Sequence, residues 1–554
     1  MSLCLSSPVG WRRLLAALLA SLCLLVAPAA ASAGTIVADN GFRPDPNGFS
    51  FPNYGDEEGY LNLDAGQMQR IYGSGVCLVG KGKCVLTPVA QAYMDAYNEA
   101  SSGGHCFGFA TLSELIYKGY LSRFGYASLS AFDPGATSTF ALGIEGNKLL
   151  QRSIARAFIF QTLPSIAENT VSGTPRQILQ ALLHGALDPS SKEIWTFTIF
   201  QWGHKGGHAI TPYAVEDMGD GIYDVHVYDN NWPNDADRRL QIDTKNNTWS
   251  YYAMTSPGYP QAMYEGNAKS KSLSLVPVTP ALGVQPCPFC VGRQGGGSKW
   301  NELRLDGTGA EHARFLITDA KGRQTGYKGK RFVNQIPGAK VLPRTSGGYR
   351  VGPGGKLFAD SPAPVVRLPK GVEFGIQIDG RHLERRDRET LTLVGPTYDA
   401  TVENLIMGPG QTAAVGLSPK GDAITYRPSR RTVSPAISLG AETKKVGYRV
   451  TVAAVGSPKG GSLTFVKEPK QQLMWFGDTT TKRRVYRLTI ERIGNLPGLE
   501  GETFTRTVAI SGRQQAFLYY GPLSKAKGTA KIVVYSPGKK RHAVKVIPID
   551  QKGS

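Results

Sequence analysis

In the first half of the chain, apolar residues recur at three- and four-residue intervals, the spacing that lines one side of a helix. After Cys106, the positions Phe109, Leu112, Leu115 and Ile116 keep this interval and Gly119 stops it, so a helix opening at Cys106 is predicted. Another helix is predicted over 147–160, with Leu149, Leu150, Ile154 and Phe158 on or near one face. Thr174-Pro175-Arg176-Gln177 is a helix start: Thr174 caps, Pro175 fits the first turn and Gln177 completes a capping box. Ile178, Leu179, Leu182 and Leu183 follow at helical spacing, and Gly185 ends the run.

Strands then take over. Segments 195–202, 209–216 and 222–229 read as strands, and Asp217-Met218-Gly219-Asp220-Gly221 between the last two is a turn. In such a hairpin the start of one strand lies beside the end of the next, which brings His208 next to Asp229 or Asn230. Alternation lets only one of these face His208, and Asp229 is preferred. Further on, Val446, Tyr448, Val450 and Val452 alternate with polar or small residues, as do Tyr486, Leu488 and Ile490, and 530–535 is a β-branched run. Turns such as Val351-Gly352-Pro353-Gly354-Gly355 separate these runs. An α+β domain followed by an all-β, β-sandwich-like C-terminal region is the expected architecture. No internal repeat stands out.

The 554 residues exceed what one hydrophobic core supports, and a Gly-rich stretch at Gly292–Ser298 reads as a linker. The expected divisions are a signal peptide at 1–33, a first domain at 34–285, a linker at 286–299, a β-rich module at 300–400 and a basic sandwich at 401–554. Charge follows the same division: about −6 before residue 285 and about +24 after it. Trp11-Arg12-Arg13, the apolar run Leu14–Val26 and Ala31-Ser32-Ala33 compose an export signal cleaved after Ala33. The mature protein is expected to be secreted or cell-surface, with no transmembrane segment. Outside the cytoplasm thiols pair, and proximity favours Cys77 with Cys84 and Cys287 with Cys290. Cys106 is then the odd thiol.

That thiol is placed for chemistry. Gly103-Gly104-His105-Cys106 sets it at a helix N-terminus, whose partial positive charge favours thiolate over thiol. Gly206-Gly207-His208 supplies a base at a strand start, and Asp229 a carboxylate to orient it. His204 and His208 are four apart, but His-Lys-Gly-Gly-His lacks the glutamate of a zinc protease and its glycines oppose a helix. Cys287-Pro288-Phe289-Cys290 is read as a small structural loop and not a redox or zinc motif. No metal or other cofactor is implied.

The order Cys, then His about a hundred residues on, then Asp or Asn about twenty further, resembles the papain-like cysteine peptidase superfamily. Asn230-Asn231-Trp232 is similar to the Asn-Ser-Trp of papain, and the Asp229 ending is closer to C39-like bacterial relatives. The resemblance covers roughly residues 80–260. It implies a papain-like fold, amide hydrolysis through a thioacyl-enzyme, and catalytic roles for Cys106, His208 and Asp229, with Asn230 the alternative orienting residue. Papain relatives place a Gln before the cysteine as oxyanion donor; here no Gln precedes it, and Asn98 is the candidate substitute. The substrate is expected to be a peptide or protein. Amidase or transglutaminase-like acyl transfer is the alternative within the same chemistry, and a non-catalytic surface-binding or adhesion protein is the alternative outside it. The basic C-terminal half suits an anionic cell-surface polymer and carries no motif for sequence-specific nucleic-acid binding.

Overall fold

The three helices expected from periodicity form, and others that it did not single out, such as Ala65–Tyr72 and Pro88–Ala100, join them. Cys106–Tyr117 is the first of the three, ending just before Gly119, which adopts φ +71°. Lys148–Ile159 is capped by the Asn147 side chain, and Pro175–Ala181 opens with the full Thr174/Gln177 capping box. The computed structural model describes residues 34–549 apart from 57–58, 79–82, 202–204, 254–262, 291–299, 308–311, 346–348, 352–356, 360–362, 397, 429–434, 443–445, 456–460, 494–501, 525–528 and 538–541. The expected signal peptide at 1–33, the expected linker at Gly292–Ser298 and His204 therefore lie outside the described residues.

Helices of the first half precede a nine-stranded antiparallel sheet. Across it run Val171–Ser172, Leu273–Pro277, Trp195–Gln201, Lys205–Gly219, Ile222–Tyr228, Arg239–Asp243, Thr248–Tyr252 and Met263–Asn267, and Thr35–Asp39 pairs with Lys205–Gly219. One apolar core, containing Phe109, Leu112, Ile154 and Phe158, joins the helices. A second, containing Ile178, Ile199, Val227 and Trp249, lies between the helix Pro175–Ala181 and the sheet.

The second half is all β among the described residues, save short 3-10 turns. A nine-stranded and an eleven-stranded antiparallel sheet share one core that includes Phe315, Leu391, Tyr448 and Phe476. From residue 387 onward consecutive strands come in pairs that alternate between the sheets: Asp387–Gly395 with Tyr398–Met407, Thr412–Leu417 with Ala423–Pro428, then Ala436–Glu442 with Gly447–Ala454. The expected boundary near residue 400 falls inside Tyr398–Met407, and both sheets continue through it.

The halves are packed on each other. Helix Pro88–Ala100 lies against the nine-stranded sheet of the sandwich. The buried Arg304 guanidinium sits 3.6 Å from the Tyr97 ring centroid, and Arg367 pairs with Glu302 at 3.0 Å while donating to the Thr162 carbonyl at 2.6 Å. Gly447 is needed there, because a Cβ would meet Pro88 at 2.7 Å. Disulfides join Cys77 to Cys84 and Cys287 to Cys290, and Cys106 is a free, buried thiol. No described helix is long and apolar enough to cross a membrane.

Candidate active site

Cys106 is the first residue of its helix, so its own N–H and that of Phe107 face away from any intrahelical acceptor. The preceding turn is fixed by hydrogen bonds: the His105 N–H donates to Asn53 Oδ1 at 2.7 Å. The His105 ring bonds the Tyr54 carbonyl through Nδ1 at 2.9 Å and the Asn62 side chain through Nε2 at 2.6 Å. Burial drives the His105 pKa down to about 4, so this histidine anchors the loop as a neutral ring. Two residues into the helix, Gly108 allows a close crossing of Lys148–Ile159, where a Cβ would stand 2.2 Å from the Ile154 carbonyl oxygen.

His208 lies on the strand Lys205–Gly219, which contacts the Cys106 helix. Gly206 takes φ +64°, and a Cβ on Gly207 would meet the Arg344 carbonyl oxygen at 2.7 Å and the Phe200 ring at 2.8 Å. The glycine pair therefore lets the sandwich come down beside His208. Thr345, next along, donates its N–H to Gln161 Oε1 at 2.8 Å.

The hairpin register places Thr211 across from Tyr228, so the next residue, Asp229, comes level with the beginning of the His208 strand. His208 Nε2 and Asp229 Oδ1 are 2.7 Å apart, and both residues are buried. Asp229 accepts two further hydrogen bonds, from the Asn231 N–H at 2.8 Å and from the Tyr251 hydroxyl. Its carboxyl is held below the usual carboxylate range: burial opposes ionisation, but the His208 charge and these donors outweigh it. For His208 burial again opposes the charge, yet Asp229 and then the Cys106 thiol favour it, pushing the pKa up to about 10. Among the described residues Nδ1 makes no conventional hydrogen bond, and the Cys106 side chain is a second polar group acting on the ring.

Asn230 does not orient the imidazole. Its side-chain amide donates to the carbonyl oxygens of Cys106, at 3.2 Å, and of Ala209, at 2.8 Å, tying the helix start to the His208 strand. Asn98 exchanges hydrogen bonds with the Leu63 backbone: Oδ1 accepts from the Leu63 N–H at 3.0 Å, and one amide N–H donates to the Leu63 carbonyl at 3.1 Å. Tyr251 and Asn53 escaped the sequence analysis. Asn53 bonds the His105 N–H, the Asn230 carbonyl and the Asn231 side chain, from a segment with no local motif. Tyr251 is one of two adjacent tyrosines on its strand, and only the fold distinguishes it.

No part of Cys106 reaches solvent in this arrangement. Comparison with protein families, curated proteins and solved structures returned no match to this chain.

Proposed function

We propose that the chain is an exported, papain-like cysteine peptidase. The observation that carries this reading is the 2.7 Å contact of His208 Nε2 with Asp229 Oδ1, which leaves Nδ1 to serve a thiol at a helix N-terminus. In the proposed reaction Cys106 Sγ attacks an amide carbonyl carbon, and the N–H of Cys106 donates to the developing oxyanion. Imidazolium His208 then protonates the leaving amine as its C–N bond breaks, giving a thioacyl-enzyme. Water, deprotonated by His208, attacks the thioester, and the C–S bond breaks to release the acid. Asp229 holds the ring and stabilises its charge throughout.

Two disulfides support the exported part of the reading. The basic sandwich would hold the enzyme on an anionic surface polymer, an attachment that high salt should reverse.

The complete burial of Cys106 favours one rival, a binding protein with an inert cysteine. Incubating the mature chain with a denatured protein mixture and sequencing new N-termini separates the two. Cleavage abolished by Cys106→Ala supports the peptidase. Cleavage unchanged by that substitution, or none at all, favours the rival.

A further inference from the structure

A buried cluster at one end of the sandwich takes no part in the chemistry above. Alternation in Asp387-Arg388-Glu389 puts Asp387 and Glu389 on one face of the strand Asp387–Gly395, and the register sets Gly307 opposite Glu389. Trp300–Gly307 belongs to one sheet and Arg314–Asp319 to the other, and His312 stands just before the latter. His312, Asp387 and Glu389 each offer a ligand atom within 4.8 Å of the others, and His312 Nδ1 lies 3.7 Å from Asp387 Oδ2.

These atoms surround the space left by the missing side chain of Gly307. A Cβ there would lie 2.5 Å from His312 Nδ1 and 2.7 Å from both Asp387 Oδ2 and Glu389 Oε2. Glu389 is fully buried; its Oε1 accepts from the Ala313 N–H at 2.5 Å, while Oε2 has no donor among the described residues. Oε2 instead converges with a carboxylate oxygen of Asp387. Two buried carboxylate oxygens converging in this way need a proton or a cation between them.

We propose that His312, Asp387 and Glu389 bind one divalent transition-metal cation of the zinc or manganese type. An imidazole nitrogen with two carboxylate oxygens suits such an ion, whereas calcium and magnesium favour larger, all-oxygen shells. Binding displaces the proton that the two carboxyl groups otherwise share. The ion links the strand Asp387–Gly395 of one sheet to the start of Arg314–Asp319 in the other, and so ties the two sheets together at that end.

The test uses the full mature chain, stripped with a chelator and titrated separately with zinc, manganese and calcium. Calorimetry and thermal melting should show one equivalent of zinc or manganese bound, with Tm raised by about 5 °C at saturation and calcium without effect. Glu389→Gln and Gly307→Ala should each abolish the rise. Should either variant fail to fold, anomalous scattering from zinc-loaded wild-type crystals locates the ion directly. The proposal is overturned by no stoichiometric binding, by an equal calcium response, by a Tm rise that survives both substitutions, or by an ion found elsewhere.

Discussion

The side-chain amide of Asn230 reaches the carbonyl oxygen of Cys106 at 3.2 Å, and the same nitrogen reaches Ala209, the residue after His208, at 2.8 Å. One buried amide therefore ties the start of the Cys106 helix to the strand that carries His208. Asn230→Ala leaves two buried carbonyl oxygens without this donor. It should cost about 2–3 kcal/mol in urea denaturation and slow His208-dependent alkylation of Cys106. Wild-type stability and labelling in this variant would remove the bracing role.

Tyr251 acts one step further out, through its hydroxyl on Asp229. Tyr251→Phe removes a donor to a buried carboxylate and should cost about 1.5–3 kcal/mol. The folded-state pKa of Asp229 is depressed, so its stabilisation is present above the unfolded value near 3.9 and is lost as pH falls through the folded value. Losing Tyr251 raises that folded value, and acid unfolding of the variant should begin at higher pH. An unchanged acid midpoint would contradict the role given to Tyr251.

Glu114, on the Cys106 helix, is buried and accepts from the Thr196 hydroxyl at 2.8 Å. Burial raises its pKa to about 8, against an unfolded value near 4.3. The folded protein binds the extra proton between those values, so stability from this group is full below the unfolded pKa and lost as pH rises through about 8. Glu114→Gln should flatten the pH dependence of stability from pH 5 to 8 and raise stability at pH 8. Denaturation curves with the same pH slope as wild type would refute it.

At Gly108 the Cys106 helix runs close against the backbone of the helix Lys148–Ile159. A methyl group there meets backbone, which cannot rotate away, so Gly108→Ala should destabilise the first domain by roughly 3 kcal/mol. Gly119→Ala serves as the control: Gly119 has a positive φ but open space, and its cost should be smaller. Equal losses would mean that helix packing is not what Gly108 provides.

What the sequence disclosed follows from what is local. The helix at Cys106, the capping box at Thr174 and the hairpin after His208 depend on spacing and turn chemistry, and all three form. Alternation left room for only one of Asp229 and Asn230 beside His208, and the preferred Asp229 makes the contact observed. The supporting residues depend on long-range contacts. Asn53 lies 52 residues from His105, its hydrogen-bond partner, and Tyr251 lies 22 from Asp229. Nothing near Asn98 in sequence announces its pairing with Leu63, 35 residues away. The alternating strand pairs of the sandwich were invisible for another reason: their regularity is one of backbone path, and alternation of apolar residues is the same in any half-buried strand.

The most direct test is the rate of alkylation of Cys106 by a small thiol reagent in the folded mature protein, from pH 5 to 9, for wild type and His208→Ala. His208, whose charged form Asp229 and then the Cys106 thiol favour, should keep wild-type labelling fast at pH 6. His208→Ala should label at least about tenfold more slowly at pH 6 and climb with the titration of an ordinary thiol near pH 8.5. Wild-type labelling that follows that same ordinary titration, or that does not occur in the folded protein, would contradict a catalytic Cys106.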